Sequence, residues 1–282
     1  MLRLTWWQQA RYQAGLTLIA LFVLIPMWGI VYLAFDGGVK GWPTTFRVWP
    51  EQFTLGVFVR MWEKPAQGMP FLALLRNSLI VSAGATLLSV ALGASMAYAF
   101  ARYRFPGRRL GLFGLLLGVL LPPVALMVPL YLLLSALGIR TTLFGLTVVY
   151  TSFAMPFCIW NMRAAFQSVA LELEESAFLD GASPWIAFWR ITLPLALPAI
   201  AVAGLIAFLI GYSEFAMGWL FVDKAQNVTL AMAISGMIQS SYLDSWANLA
   251  ALALMMSLPV VIIFLGAQRY LIDRLLLGPV GS

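Results

Sequence analysis

The chain has no histidine and a single cysteine, Cys158, and charged side chains make up only 10% of its 282 residues. Those shortages remove several kinds of protein at once. One cysteine forms no intrachain disulfide, and without histidine there is no Cys/His zinc site. Cys158 lies within an apolar run, where a thiol acts as a small buried hydrophobe. No acid occurs between Glu63 and Glu172, and the only lysines are Lys40, Lys64 and Lys224. None of the three completes the G-x4-G-K-[ST] loop that cradles a nucleotide phosphate. Formal net charge is +6, yet the basic residues sit mostly at the ends of apolar runs. That placement reads as membrane topology and not as a nucleic-acid face.

What is abundant is apolar: 62% of residues are hydrophobic. A soluble domain of this length needs more charge to cover its surface, so the chain is expected to be a membrane protein. Runs long enough to cross a bilayer as helix fall near 15–35, 75–101, 110–135, 144–165, 195–222 and 247–270. The first is too long for a signal-peptide core and lacks a small-residue cleavage site, so it is expected to stay attached. The expected fold is an all-α polytopic bundle of about six spans. Pro26, Pro122, Pro123, Pro129, Pro156 and Pro259 interrupt these runs and predict broken spans. Small residues along LIVSAGATLLSVALGASMAYAFA predict close packing of the second span.

Orientation follows from the short loop holding Arg102, Arg104, Arg108 and Arg109, which is expected to face the cytoplasm. Parity then puts residues 166–194 and both termini inside. Residues 36–74 face outward as a folded-back strap or a docking surface, rich in Trp and Pro (Trp42, Pro43, Trp49, Pro50, Trp62, Pro65, Pro70). Lys40, Arg47, Arg60 and Lys64 in that segment run against the rule, but charges far from span ends weigh less in it.

The polar insertion ELEESAFLDGASPWIAFWRITLP at 172–194 is patterned. Ser168 is a candidate cap for a helix whose first turns hold Glu172, Glu174 and Glu175. Val169, Leu173 and Ala177 form one apolar line, and Leu171 with Phe178 a second nearly opposite, as on a helix gripped by protein. Gly181 is placed to end that helix with a positive φ. Ser183-Pro184 starts another helix, with Trp185, Phe188 and Trp189 on one face. An amphipathic loop lying on the bilayer is the competing reading; its acids would be repelled by an anionic inner leaflet. Glu214, inside the fifth run after Gly211, Tyr212 and Ser213, reads as a translocation-path or gate residue, as an interhelical hydrogen-bond partner, or as a residue at a shallow position near the outer surface.

The spacing Glu175-Ser176-Ala177, three residues, Gly181, nine residues, Ile191-x-Leu193-Pro194 resembles the EAA loop of ABC-importer permeases, with serine for the first alanine. From Arg76 onward, through RNSLIVSAGATLLSVALGASMAYAFARYRFPGRR, VPLYLLLSALGIRTTLFGL and LPVVIIFLGAQRYLIDRLLLGPVGS, the chain resembles the carbohydrate-type permeases, and among them the maltose-type second permease subunit. The resemblance implies a type I importer fold with 1–75 as an N-terminal helix and outward loop, and 76–282 as the transmembrane core. Glu175, Ser176, Ala177, Gly181, Ile191, Leu193 and Pro194 would couple the core to an ATPase. Tyr212, Ser213 and Glu214 are the candidate translocation path.

It further implies import of a sugar or oligosaccharide such as maltose, maltodextrin or trehalose. The partners would be a second permease, an ATP-binding subunit dimer carrying ATP and Mg, an extracytoplasmic substrate-binding protein and membrane lipid, in a bacterial or archaeal inner membrane. The chain itself would hold no cofactor, no metal and no catalytic residue. The glycine-containing ending LLLGPVGS could reach the ATPase, although Pro279 and Gly281-Ser282 depart from the usual tail. The alternatives are a permease for a non-sugar solute, a membrane-embedded enzyme, which would need paired acids, histidines or metal ligands, and a secondary transporter. That last class is built from internal repeats, and no strong repeat is visible.

Overall fold

The computed structural model describes residues 5–39, 41, 43, 47–239 and 246–276, the stretch 269–276 as backbone only. Lys40, Trp42 and the tail from Leu277 lie outside the described residues. The regular secondary structure of the described residues is helical, with two isolated β-bridges and no strand. Four helices are long and apolar enough to cross a membrane: α1 (Trp6–Ala34), α3 (Phe71–Arg102), α6 (Leu143–Ser168) and α13 (Trp246–Leu276), the last counted over Trp246–Gln268. Two bent pairs bring the total to six. These are α4 (Arg108–Leu120) with α5 (Pro123–Ala136), and the segment Pro184–Leu195 with α10 (Leu197–Ser213).

Not every proline breaks its helix. Pro26, Pro129, Pro156 and Pro259 are carried inside continuous helices. Each removes one N–H from the ladder, a loss that local adjustment and neighbouring groups absorb in a membrane helix. The third span does break, by 101° between α4 and α5. Two consecutive prolines there force Leu121 and Pro122 extended, with ψ 130° and 129°, because the residue before a proline avoids the helical region. The fifth span also differs from a single run over 195–222. It bends by 77° before Leu197 and stops at Ser213, and a short helix α11 (Ala216–Phe221) follows. An apolar helix the hydropathy did not separate, α12 (Leu230–Gln239), stands between it and α13.

The residues group into two compact units. The first comprises the chain up to Phe71 with Ile234–Leu258. Here the strap folds back on the end of α1. The buried Asp36 carboxylate accepts from the amides of Gly38 (2.9 Å), Glu51 (2.9 Å) and Gln52 (3.2 Å). Trp28 Nε1 donates to the Val48 carbonyl at 2.9 Å, and Phe35 stacks on Phe53 at 5.4 Å. The short helix α2 (Gly56–Glu63) buries Val57 and Met61 and turns Phe58 and Trp62 toward an apolar hollow of 410 Å³ shared with Phe71, Met255 and Leu258.

The second unit, Leu72–Ala233 with the residues from Pro259 on, holds the bundle. Its core joins Ala94, Ala97 and Phe100 of α3 to Ala154, Cys158, Ile159, Met162 and Phe166 of α6, and to Ala203 and Ala207 of α10. Close approach depends on absent side chains, as in membrane helix pairs generally. A Cβ on Gly93 would lie 3.0 Å from Met162 Cε, and one on Gly211 would lie 3.1 Å from Ser82 Cα. Cys158 is fully buried in this core and its thiol donates to the Ala203 carbonyl at 3.6 Å.

The two ends of this unit are pinned differently. At one end, Thr141 holds the loop 222–227 by its backbone and hydroxyl. Its N–H donates to Phe221 O (2.8 Å), its hydroxyl accepts from Asp223 N (2.9 Å), and its carbonyl accepts from Asn227 Nδ2 (2.6 Å). These contacts hold a β-branched residue at φ +59°, a conformation such residues resist unless over-determined by surroundings. Asn77 Nδ2 adds bonds to the carbonyls of Gln226 (2.8 Å) and Val228 (2.9 Å). The opposite end carries the arginine loop and the 171–195 segment.

Candidate functional site

Helix α7 (Leu171–Leu179) does not begin at Ser168. That residue closes α6, its hydroxyl donating to Ala165 O at 2.7 Å, and Ala170 stands at the N-cap without a side-chain bond. A serine inside the last turn of a helix can satisfy its hydroxyl on its own backbone, so it competes poorly as a cap for the next one. Glu172 and Glu174 do occupy the first turn, where the positive end of the helix favours them.

The end of α7 follows the sequence closely. Gly181 takes φ +86°. Its N–H donates to Phe178 O (3.1 Å), and Ala182 N–H donates to Ala177 O (2.9 Å). This paired pattern with glycine in the left-handed region is a Schellman turn. Ser183 then caps α8 (Pro184–Ala187), its hydroxyl accepting from Ile186 N at 3.3 Å with Pro184 at the first helical position. The helix continues through a π-helical turn (Phe188–Thr192) into α9 (Leu193–Leu195). Pro194 brings no N–H to the ladder and its ring crowds the preceding carbonyls, and a widened turn relieves both.

The surface of this helix pair is apolar and open. Leu171, Leu173, Phe178, Trp185, Ile186 and Trp189 are exposed, and Leu179 is 91% exposed. Glu175 and Ser176 are exposed too, and Ala177 is half-buried. Phe188 parts from the expected aromatic face. It is buried, 4.7 Å from the Tyr98 ring and 6.1 Å from Phe166, while Trp185 and Trp189 meet edge to face outside at 5.6 Å. Of the three expected anchors, Ile191 and Leu193 are half-buried, Leu193 against the core, and Pro194 is exposed.

The inner attachment of α7 is not one of its apolar lines. The residue it buries is Glu174, 2% exposed. Glu174 Oε1 accepts from Arg102 Nε (2.7 Å) and Thr192 Oγ1 (2.6 Å), and Oε2 accepts from Tyr98 OH (2.8 Å). Arg102 Nη2 also donates to Val169 O at 2.9 Å. So one of the four loop arginines is spent on an internal ion pair, while Arg104 and Arg109 are exposed and Arg108 half-buried. Sequence reasoning missed Glu174, Arg102, Tyr98 and Thr192 as a group. The signal was present: Glu174 belongs to the first cluster of acids after the acid-free stretch from Glu63 to Glu172, one turn into a helix and following a basic loop.

The second candidate group lies where α10 ends. Tyr212 is buried and stacks on Phe208 at 5.3 Å. Ser213 is exposed and its hydroxyl donates to Leu209 O at 2.6 Å. Glu214 is extended and half-buried, and its carboxylate accepts from the amides of Met217 (3.0 Å) and Gly218 (3.3 Å) at the start of α11. Its partners include backbone amides of the next few residues, as in a helix cap, and the buried Tyr150 hydroxyl of α6 also interacts with it. The three residues are adjacent at one helix break, and they lie apart from the Glu174 group, from which they are separated by the length of α10.

An all-α bundle with bent spans and a Gly-turned helix pair between two of them is the build of a membrane subunit of an importer. Residues 89–277 match the family model for the binding-protein-dependent transport system inner membrane component, and the chain belongs to that family. The maltose/maltodextrin transport system permease protein MalG of Escherichia coli (strain K12) is 36% identical over 217 residues, 75% of this chain and 73% of the relative. The trehalose transport system permease protein SugB of Mycobacterium tuberculosis is 32% identical over 215 residues, 76% of this chain and 78% of the relative. Among solved structures, a bacterial ABC transporter involved in import of the acidic polysaccharide alginate shares the fold at TM-score 0.75 and 21% identity, covering 96% of this chain and 99% of that one. The MetNI methionine transporter shares it at TM-score 0.56 and 19% identity over 71% of this chain and 94% of that one. As a permease subunit of this family, the chain carries no ATPase site of its own, and hydrolysis belongs to a partner subunit.

Proposed function

We propose that the chain is the permease subunit of an ABC importer for a sugar or oligosaccharide, and that α7 with α8 is the surface through which it engages its ATPase. The observation that carries the second statement is the exposed row Leu171, Leu173, Phe178, Leu179, Trp185 and Trp189 on a helix pair with a rigid Schellman turn. Large apolar side chains clustered this way mark a protein contact, and the exposed Glu175 and Ser176 beside them offer an acceptor and a hydroxyl to it. In this reading Gly181 sets the turn, Ile191, Leu193 and Pro194 join the pair to α10, and closure of the ATPase dimer on ATP and Mg moves the pair against the bundle.

The sugar assignment is supported by the names of the permeases the chain resembles over three quarters of its length. The arginine end is the cytoplasmic one by the positive-inside rule, and both termini share that side. A second permease of similar fold and an extracytoplasmic binding protein complete the assembly. The break at Ser213–Glu214 is our candidate for the translocation path, since broken helices expose polar backbone to a cavity at membrane depth. The test is uptake by proteoliposomes holding the assembled complex and internal ATP, with the binding protein outside. ATP-dependent uptake of maltose, trehalose or a longer glycan is expected; uptake confined to amino acids or ions would overturn the sugar assignment.

A further inference from the structure

We propose that Glu174 is a positioning residue for energy coupling: its carboxylate locks the α7–α8 pair to the bundle so that the two move as one body. The proposal rests on the ATPase-docking role assigned to that pair. Three donors from two other segments converge on this one side chain, Arg102 Nε and Tyr98 OH from the end of α3, and Thr192 Oγ1 from the π turn leading to α10. Arg102 also holds the α6–α7 link through Val169 O. One group therefore ties the ends of α3 and α6, the docking helix and the entry to α10.

Its chemistry separates this from ordinary packing. α7 buries no large apolar side chain; Leu171, Leu173, Phe178 and Leu179 are exposed, and Glu174 is the residue turned in. Burying an ion pair is costly, and apolar residues of like volume often stabilise a fold as well or better. Apolar contacts, however, slide and repack, whereas charge-assisted hydrogen bonds have fixed length and direction. A link of that kind transmits displacement in both senses, push and pull, between the helix pair and the spans. If the link is loosened, the ATPase dimer can close without moving the bundle, so hydrolysis escapes the control of the permease.

The experiment uses the assembled complex in nanodiscs, without binding protein, and reads two quantities: ATPase subunit retained per permease, and basal ATP hydrolysis. Glu174→Gln keeps the shape and one acceptor oxygen, turns the other oxygen into an amide donor and removes the charge. Full retention with basal hydrolysis raised about tenfold is expected, corresponding to about 1.4 kcal/mol of lost restraint. Arg102→Gln added to it should change little more, since both act through one pair. Tyr98→Phe, which removes one donor and keeps the ring, should give a rise of about two- to threefold; it decides the matter if Glu174→Gln fails to accumulate. Unchanged hydrolysis at full retention, or loss of the ATPase from an otherwise intact Tyr98→Phe permease, would overturn the proposal. Leu179→Asp, remote from the carboxylate cluster, tests the docking role separately. If it keeps the ATPase, the docking reading fails; if it loses the ATPase while Glu174→Gln hydrolyses like wild type, only the positioning proposal fails.

Discussion

Gly181 gives the sharpest handle on the docking pair, because space and backbone conformation are separated there. At φ +86° a Cβ would meet nothing within 4 Å, so any cost of substitution is conformational and not steric. Asn tolerates the left-handed region and should cost a few tenths of a kcal/mol; Ala should cost about 1 kcal/mol. Val, β-branched, should cost about 2 kcal/mol, roughly a 30-fold shift away from the closed turn. The turn's two hydrogen bonds, Gly181 N–H to Phe178 O and Ala182 N–H to Ala177 O, open with it. Hydrogen exchange at those two amides in the assembled complex reads the opening directly, and ATPase retention reads its consequence. The expected order of damage is Val over Ala over Asn, with membrane insertion unchanged. An order set by side-chain size, with Asn worse than Ala, or a Val variant with native exchange and full transport, refutes the reasoning.

Other expectations follow from the same geometry. In a Cys158→Ala background, Lys224→Cys should react with an impermeant thiol reagent in sealed cells, while Arg104→Cys and Leu179→Cys should react only after permeabilisation; the reverse pattern would invert the topology. Glu214→Gln loses one of two charge-assisted acceptors, about 1–2 kcal/mol, so the Met217 and Gly218 amides should exchange faster at unchanged assembly. If the break also lines the path, transport by that variant should alter as well, and normal transport would leave Glu214 a structural role alone. Trp185→Ala, which removes exposed apolar area and an edge-to-face contact, should weaken ATPase retention severalfold without affecting expression.

Signals that are local in sequence were legible; those that depend on pairing across the chain were not. Gly181 and Ser183-Pro184 announce their turn and cap because glycine's freedom and proline's fixed φ act on their own residues. Small residues in α3 announce close packing for a similar reason. Single prolines misled, since Pro26, Pro129, Pro156 and Pro259 remain within helices, and only the tandem Pro122-Pro123 forces a break. The inner face of α7 was illegible from periodicity because a carboxylate holds it, and its partners lie 72 and 76 residues upstream and 18 downstream. Glu214 read as a buried charge within a span; the local backbone break that satisfies it leaves little trace in an apolar run.

The most direct test of the central claim is site-specific photocrosslinking from position 179 in the assembled complex, followed by mass identification of the adduct. Leu179 is the most exposed large apolar residue of the docking pair. An adduct with an ATP-binding subunit, mapped to a peptide of that subunit, is the predicted result. Adducts with lipid or with this chain alone, from a complex that still contains its ATPase, would contradict it.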